Sequence, residues 1–402
     1  MPSSKIKNPV LVIGGFVTGL RVARLFAKHG IDVHLVTDRE SDMALRSKYW
    51  KRKLIIPRPW DYQFLKRLLR QIAKTSTDRI VVYPTTDLDA LALATIKDEL
   101  KDDYYFVVGD REATETLVNK RKFYQSLSNT SIDYPATFFP KDLGSVKRIG
   151  KKIGYPVFIR PSITQILWYA FGKGGKGFVA KSYSELLDYY CLATSKKVET
   201  MFQEIIPGPP NNSFQIEGYF NRDFRPTGLF ARQRLRIWPP DFGDTTLCVS
   251  IPLSKLSFEC KQIVDFIGRI KYNGLVSAEF KRDSRDGRYK LLEINARTWL
   301  HFWLSAECGV DIVMSSYLDA IGEKAKYKQE YITGIKSIHL KNDFLASATM
   351  LRKGELAIFD WLSSLRGIRQ SEVFDKDDMS PFFATYLTRF FPYKRALKRQ
   401  RK

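Results

Sequence analysis

The chain has 402 residues, of which 44% are hydrophobic and 13% aromatic, and a formal charge of +23. The length exceeds one ordinary core and implies two to three domains, while the composition is that of a soluble globular protein. No apolar run approaches about 18 residues, which excludes a membrane-spanning helix, and the charge favours anionic partners of any kind.

Residues 10–37 run strand, glycine-rich turn, helix, strand. VLVIGG is an apolar strand, GLRVARLFAKHG an amphipathic helix stopped by Gly30, and IDVHLVTD a second strand ending at Asp38. This is a βαβ unit of the doubly wound type. A helix near 61–74, the strand RIVVYP, a turn with Asp87 and Asp89, a helix DALALATIKDEL and the strand YYFVVG complete an α/β domain over residues 1–112. A long helix over 112–128 leads out of it, carrying NKRKF with Lys120 near the front. The strand ATFFP, a helix over 142–153, GYPVFIRP, the glycine cluster FGKGGKGFVA, the helix SYSELLDYYCLA and the strand TMFQEII follow. That last strand stops at Pro207, Gly208, Pro209 and Pro210. From residue 213 the pattern becomes antiparallel, with a helix over 254–270 and the strand pair GLVSAEFKRD and YKLLEINAR. The helix ECGVDIVMSSYLDAIG and a mixed region to residue 402 close the chain. The order is α/β followed by α+β.

Four scattered cysteines form no CxxC pair and four histidines show no metal-ligand spacing, so buried thiols and no zinc site are expected. The N-terminal residues run into a strand without a signal core, which points to a cytoplasmic protein.

The densest chemical signal is the strand pair at 275–297. Period two puts Glu293, Asn295 and Arg297 on one face of LLEINAR, and Glu279 sits among apolar residues on the partner strand. Half-buried carboxylates must be paired or bind a metal, and magnesium takes oxygen ligands. Glu279, Glu293 and Asn295 are the candidate ligands, with Arg297 placed to hold a reacting carboxylate or a developing oxyanion. The alternative is a structural Glu293–Arg297 ion pair. In FGKGGKG, the glycines 172, 174, 175 and 177 free the backbone to wrap phosphates and Lys173 and Lys176 add charge; a flexible hairpin tip is the alternative. FQEIIPGPP makes a rigid hinge whose backbone groups suit the edge of adenine. VIGGFVTG has the glycines of a tight strand-to-helix turn, but Phe16 stands where the dinucleotide fingerprint needs glycine.

In their order along the chain, these pieces resemble the ATP-grasp superfamily over about residues 8–325, closest to its carboxylate–amine ligase branch, which includes D-aspartate ligase-like enzymes. The resemblance implies a Rossmann-like pre-ATP-grasp domain at 1–112, an N-lobe with a glycine-rich lid at 113–205, a C-lobe with the metal site at 206–325 and a C-terminal extension at 326–402. It implies ATP and two magnesium ions, with Lys120, Arg160, Lys173 and Lys176 at the phosphates and Gln203, Glu204 and Ile206 at adenine. Arg160 stands where the family usually has lysine. Glu279, Glu293 and Asn295 match the metal set. Arg297 matches the residue facing the acyl phosphate, and Arg234 and Arg236 resemble a basic strand near the γ-phosphate and substrate. The implied reaction converts a carboxylate to an acyl phosphate and joins it to an amine, releasing ADP and phosphate. A carboxylation-type ATP-grasp enzyme, a nicotinamide-dependent oxidoreductase and a non-enzymatic nucleic-acid binder are the alternatives. The last has only the charge in its favour, with no zinc, RNP or helix-turn-helix signature. A homodimer is the usual expectation.

Residues 380–402 place an aromatic belt before a basic run of Lys394, Arg395, Lys398, Arg399, Arg401 and Lys402, a pattern suited to a membrane interface and hence to an anionic or lipid-linked substrate. A helix packed on the body with a basic end is the alternative.

Overall fold

The computed structural model describes residues 8–57, 61–163, 176–240, 242–325 and 330–387. The first sheet comprises β1 (Val10–Ile13), β2 (Val33–Thr37), β3 (Trp50–Ile55), β4 (Ile80–Pro84) and β5 (Tyr104–Phe106), all parallel in the order β3-β2-β1-β4-β5. β1 is apolar throughout because both its faces are covered. Val10 and Val12 pack with Leu25 and Phe26 of the helix Phe16–Lys28; Leu11 and Ile13 pack on the opposite face with Leu65, Leu69 and Leu93. The turn after β1 needs glycine: Gly14 has φ +96°, and a Cβ there would lie 1.9 Å from Thr85 Oγ1. The following helix N-terminus is capped by a carboxylate from this chain, the backbone N–H of Phe16 donating to Asp42 Oδ1 at 2.9 Å. A dinucleotide pyrophosphate would need that position.

The second sheet is antiparallel, with β6 (Thr137–Phe138), β7 (Val157–Pro161), β8 (Phe178–Ala180) and β9 (Thr200–Glu204) in the order β6-β9-β7-β8. Helices Leu143–Ile153 and Tyr183–Ser195 cover it through Val146 and Leu186. The third sheet has seven strands, β10 (Ser213–Phe220), β11 (Pro226–Trp238), β12 (Asp244–Ile251), β13 (Gly274–Arg282), β14 (Tyr289–Asn295), β15 (Lys336–Ile338) and β16 (Ile368–Ser371), ordered β14-β13-β10-β11-β12-β15-β16. The helix Ser257–Arg269 closes its core with Ile263 and Phe266 against Phe280 and Ile294.

Two expected helices are broken, each by its own capping residue. The helix expected over 112–128 is two, Arg111–Val118 and Lys120–Leu127. Between them Asn119 is extended, and its side chain accepts from the N–H groups of Arg121 and Lys122 at 3.0 and 3.3 Å. The break lets the Lys120 N–H donate to Ser162 O at 2.8 Å, with Lys120 buried. The helix expected over ECGVDIVMSSYLDAIG divides into Trp303–Glu307 and Ile312–Ala320, because Gly309 turns left-handed at φ +101° and Asp311 caps Met314 N.

Residues 330–387 are part of the body. They supply β15 and β16, and a buried charge network fastens them to the first domain. Within it His301 Nδ1 lies 2.9 Å from Glu372 Oε1, with both side chains fully enclosed. Burial alone would lower the imidazole, but the Cys248 sulfur and the Glu372 carboxylate push it up to about 10 from an ordinary 6.5. Burial would raise Glu372, yet His301 and Arg21 hold it at about 2 instead of 4.5. The Glu372 contribution to stability is present above about pH 4.5 and is lost as pH falls toward 2; that of His301 is complete below about 6.5 and is lost as pH rises toward 10. Melting temperature against pH is therefore expected to plateau between these limits and fall on either side. Glu372→Gln should lower the plateau and flatten both limbs.

Candidate active site

β13 and β14 set Glu279 and Glu293 directly opposite one another, and Ser277 opposite Asn295. Each carboxylate is met by cations from other elements. Lys120 Nζ and Arg160 Nη2 lie 3.2 and 3.3 Å from Glu293 Oε2, brought there by the helix Lys120–Leu127 and by β7. Arg234 Nη2 of β11 lies 2.9 Å from Glu279 Oε1. Lys176 Nζ pairs with Asp244 Oδ1 at 3.2 Å. Burial by itself would raise the Glu293 carboxyl, but Lys120, Arg160 and Lys176 hold it well below the usual carboxylate range. Burial lowers the Lys120 ammonium, and Glu293 opposes that only in part.

Arg297 does not pair with Glu293. Its Nε donates to Asp87 Oδ1 at 2.7 Å, its Nη2 to Asn295 Oδ1 at 2.9 Å and its Nη1 to Thr298 O at 2.9 Å. Asp87 heads a helix of the first domain, so that domain orients a guanidinium of the third sheet.

Two cavities meet at this cluster. One, of about 290 Å³, is a slot between Phe158, Ile206, Pro207, Phe242 and Leu292, lying beneath the hinge from β9 to β10. The other, of about 380 Å³, lies between the first domain (Phe16, Thr18, Asp87) and the third sheet (Gln215, Arg232, Asn295, Arg297). Arg160, Lys176, Arg234, Glu279 and Glu293 line both. A flat apolar group, a polyanion and a second polar molecule would fit in a line along these two cavities.

The hinge residues differ in what they offer. Ile206 lies beyond both ladders, since β9 ends at Glu204 and β10 starts at Ser213, so strand pairing does not use its backbone groups. The Gln203 amide donates to Tyr124 Oη at 2.7 Å and Thr137 Oγ1 at 2.9 Å, which commits it to bracing the hinge. Glu204 accepts from Ala136 N at 3.0 Å and pairs with Arg285. Arg236 stands apart from the cluster. It lines neither cavity and forms a bidentate pair with Asp343, 2.8 Å on each arm. Lys173 and the glycines 172, 174 and 175 lie outside the described residues.

Sequence inspection passed over most of the second cavity. Gln215 is 1% exposed and lines it with neither amide atom hydrogen-bonded, and Arg232 Nη1 is also buried without a partner. Such orphaned donors are costly unless a ligand or water meets them. Gln215 faces Glu279 on one side and Arg232 on the other, so register across β13-β10-β11 is the signal that finds it. Among the described residues no group of three or more His, Cys, Asp or Glu has metal-binding geometry; the candidate set is two carboxylates and an amide.

No protein-family model matches the chain. Solved structures cover most of it. The biotin carboxylase domain of Hydrogenobacter thermophilus 2-oxoglutarate carboxylase, in complex with MgADP, ADP and bicarbonate, superposes with a TM-score of 0.64 at 18% identity, covering 82% of this chain and 73% of that one. N5-carboxyaminoimidazole synthetase from Staphylococcus aureus matches 84% of this chain and 83% of that one, with a TM-score of 0.62 at 14% identity. L-amino acid ligase from Bacillus licheniformis gives a TM-score of 0.62 at 15% identity over 83% and 79%. The chain therefore has the ATP-grasp fold. In sequence it is 25% identical to D-aspartate ligase of Enterococcus faecium over 246 residues, 59% of this chain and 58% of that protein. It is 27% identical to the 2-oxoglutarate carboxylase small subunit of H. thermophilus over 202 residues, 48% of this chain and 40% of that protein. The chain thus spans about half the length of the two curated relatives it resembles, and what it shares with the solved structures is the fold.

Proposed function

We propose that this protein is a ligase that uses magnesium-ATP to activate a carboxylate as an acyl phosphate and joins it to an amine, releasing ADP and phosphate. One observation carries this: the shared wall of the two cavities, where Glu279 and Glu293 stand among Lys120, Arg160, Lys176 and Arg234. The residues fit the group they would hold. Glu293 shares one oxygen between two cations, and a triphosphate entering the cluster would take those cations as its own partners. The carboxylates so released, with Asn295, are oxygen ligands of the kind magnesium prefers. When bound there, the metal supplies positive charge at the phosphate oxygens.

The chain's own residues then do the positioning. Adenine takes the apolar slot under Ile206, which leaves the γ-phosphate at the mouth of the second cavity. Lys120, Arg160 and Arg234 hold the phosphates there. A substrate carboxylate oxygen attacks phosphorus and the bond to the β-phosphate oxygen breaks, so ADP leaves. The amine nitrogen then attacks the acyl carbon, the carbon–oxygen bond to phosphate breaks, and the amine proton passes to solvent. Arg297, set by Asp87 and Asn295, faces the carbonyl oxygen that gains charge in this step. Residues 113–205 and 206–325 act as the two nucleotide-binding lobes, and residues 1–112 as a Rossmann-like domain that closes the second cavity. Likeness to carboxylases favours a second reading, ATP-driven carboxylation, for which ADP release would depend on bicarbonate rather than on an amine.

Thermal stabilisation tests the nucleotide site before any substrate is known. ATP with magnesium at about 100 times its dissociation constant should add roughly 2.7 kcal/mol, and NAD should add nothing. A shift with NAD alone, or no shift with either, would remove this reading.

A further inference from the structure

No described helix is long and apolar enough to cross a membrane, yet two helices beside the third sheet leave large apolar side chains exposed. We propose that the helices Leu340–Arg352 and Ile358–Ser364 dock this protein onto an anionic lipid surface. The second helix has no buried residue at all. Phe359 is 78% exposed, Phe344 59%, Ile358 54% and Leu362 51%. Phe344 and Trp361 stack edge-on with ring centroids 6.3 Å apart, so the two helices present one patch rather than scattered side chains. Contiguous exposure of large apolar groups on this scale marks an interaction site.

Charge selects the occupant. Residues 340–369 carry five Lys or Arg (341, 352, 353, 366 and 369) against three acids, and one of those, Asp343, is consumed by Arg236. The helix Ser380–Leu387 reaches the start of the first of these helices, its Tyr386 hydroxyl accepting from Lys341 N at 3.0 Å. Beyond it, residues 388–402 carry seven Lys or Arg and no Asp or Glu. Apolar side chains entering the interface while cations meet lipid phosphates is how peripheral proteins hold a bilayer. A second copy of this chain is the poorer fit, because it would bring another +23 against the same cations. Asn342, on the first of these helices, lines the second cavity, so docking sets that cavity about one helix diameter, roughly 10 Å, from the lipid.

The test uses the full chain and needs no substrate. It should co-sediment with phosphatidylcholine vesicles containing about 30 mole per cent phosphatidylglycerol, far less with phosphatidylcholine alone, and less again in high salt. Phe359→Ser with Leu362→Ser should weaken binding by about tenfold or more, with an unchanged circular dichroism spectrum expected because both side chains are exposed. Phe359→Gln alone serves as the milder variant should the pair disturb folding. Equal binding of parent and variants, or no binding by the parent, would overturn the proposal. So would a parent dimer that the variants turn into a monomer without loss of lipid binding, which would assign the face to a second copy. ATP binding and turnover do not enter these measurements, so failure here leaves the ligase reading untouched.

Discussion

Glu293→Gln is expected to lower turnover by at least about a hundredfold while the protein stays folded. The substitution keeps shape and removes one charge. In the free protein that charge balances Lys120 and Arg160, so the variant leaves these two cations less well compensated, a cost of about 1–3 kcal/mol. The side chain keeps 20% exposure at the junction of two cavities, which places the cost well below that of a sealed ion pair. Triphosphate supplies the missing negative charge, so ATP without magnesium should stabilise the variant at least as much as it does the parent. What the amide cannot do is serve as an anionic oxygen ligand. The expected pattern is a retained ATP shift, a reduced magnesium dependence of that shift, and little ADP release. Turnover at the parent rate would mean that Glu293 is only the counter-ion of two buried cations.

Parts of this site were legible in the sequence, and the limits have physical causes. Strict alternation in LLEINAR places Glu293 and Asn295 on one face, and β14 keeps it there. Alternation does not say which cation meets which carboxylate. Arg297 finds Asp87, 210 positions away, a contact no local pattern encodes. In RQRLR the same rule puts Arg234 and Arg236 together, but β11 shifts register against β12 between Arg234 and Arg236 and again after it. A bulge re-aims side chains, and Arg236 turns to Asp343. The break that buries Lys120 was written in Asn119, a good N-cap that a run of helix-forming neighbours conceals. The glycine-rich turn after β1 has the look of a phosphate site, and only the fold shows Asp42 already filling it. Gln215 carries no motif; its place is defined by two neighbouring strands.

Replacing Arg24 by Met should cost about 3–5 kcal/mol, the largest single loss of stability expected here. Arg24 lies on the helix Phe16–Lys28 and is fully buried. Its Nε donates to Asp378 Oδ2 at 3.0 Å, its Nη1 to Val373 O at 2.8 Å and its Nη2 to Asp378 O at 2.8 Å. Methionine restores the apolar stem but leaves a carboxylate and two carbonyls with fewer donors in a dry interior. Asp378 would keep Ser47 Oγ at 2.7 Å and Lys48 N at 3.1 Å, so the carboxylate is not abandoned and the loss should sit toward the lower end of the range. Urea unfolding of the parent and variant measures it. The same substitution reaches the second cavity, because residues 368–378 also supply β16 and the Glu372 that holds His301, and His301 lines that cavity. Loosening the clasp should therefore raise the KM for whichever substrate occupies the second cavity more than it raises the KM for ATP. A loss below about 1 kcal/mol would mean that the C-terminal segment unfolds apart from the body, and that its two strands are an attachment to the sheet rather than part of its cooperative core.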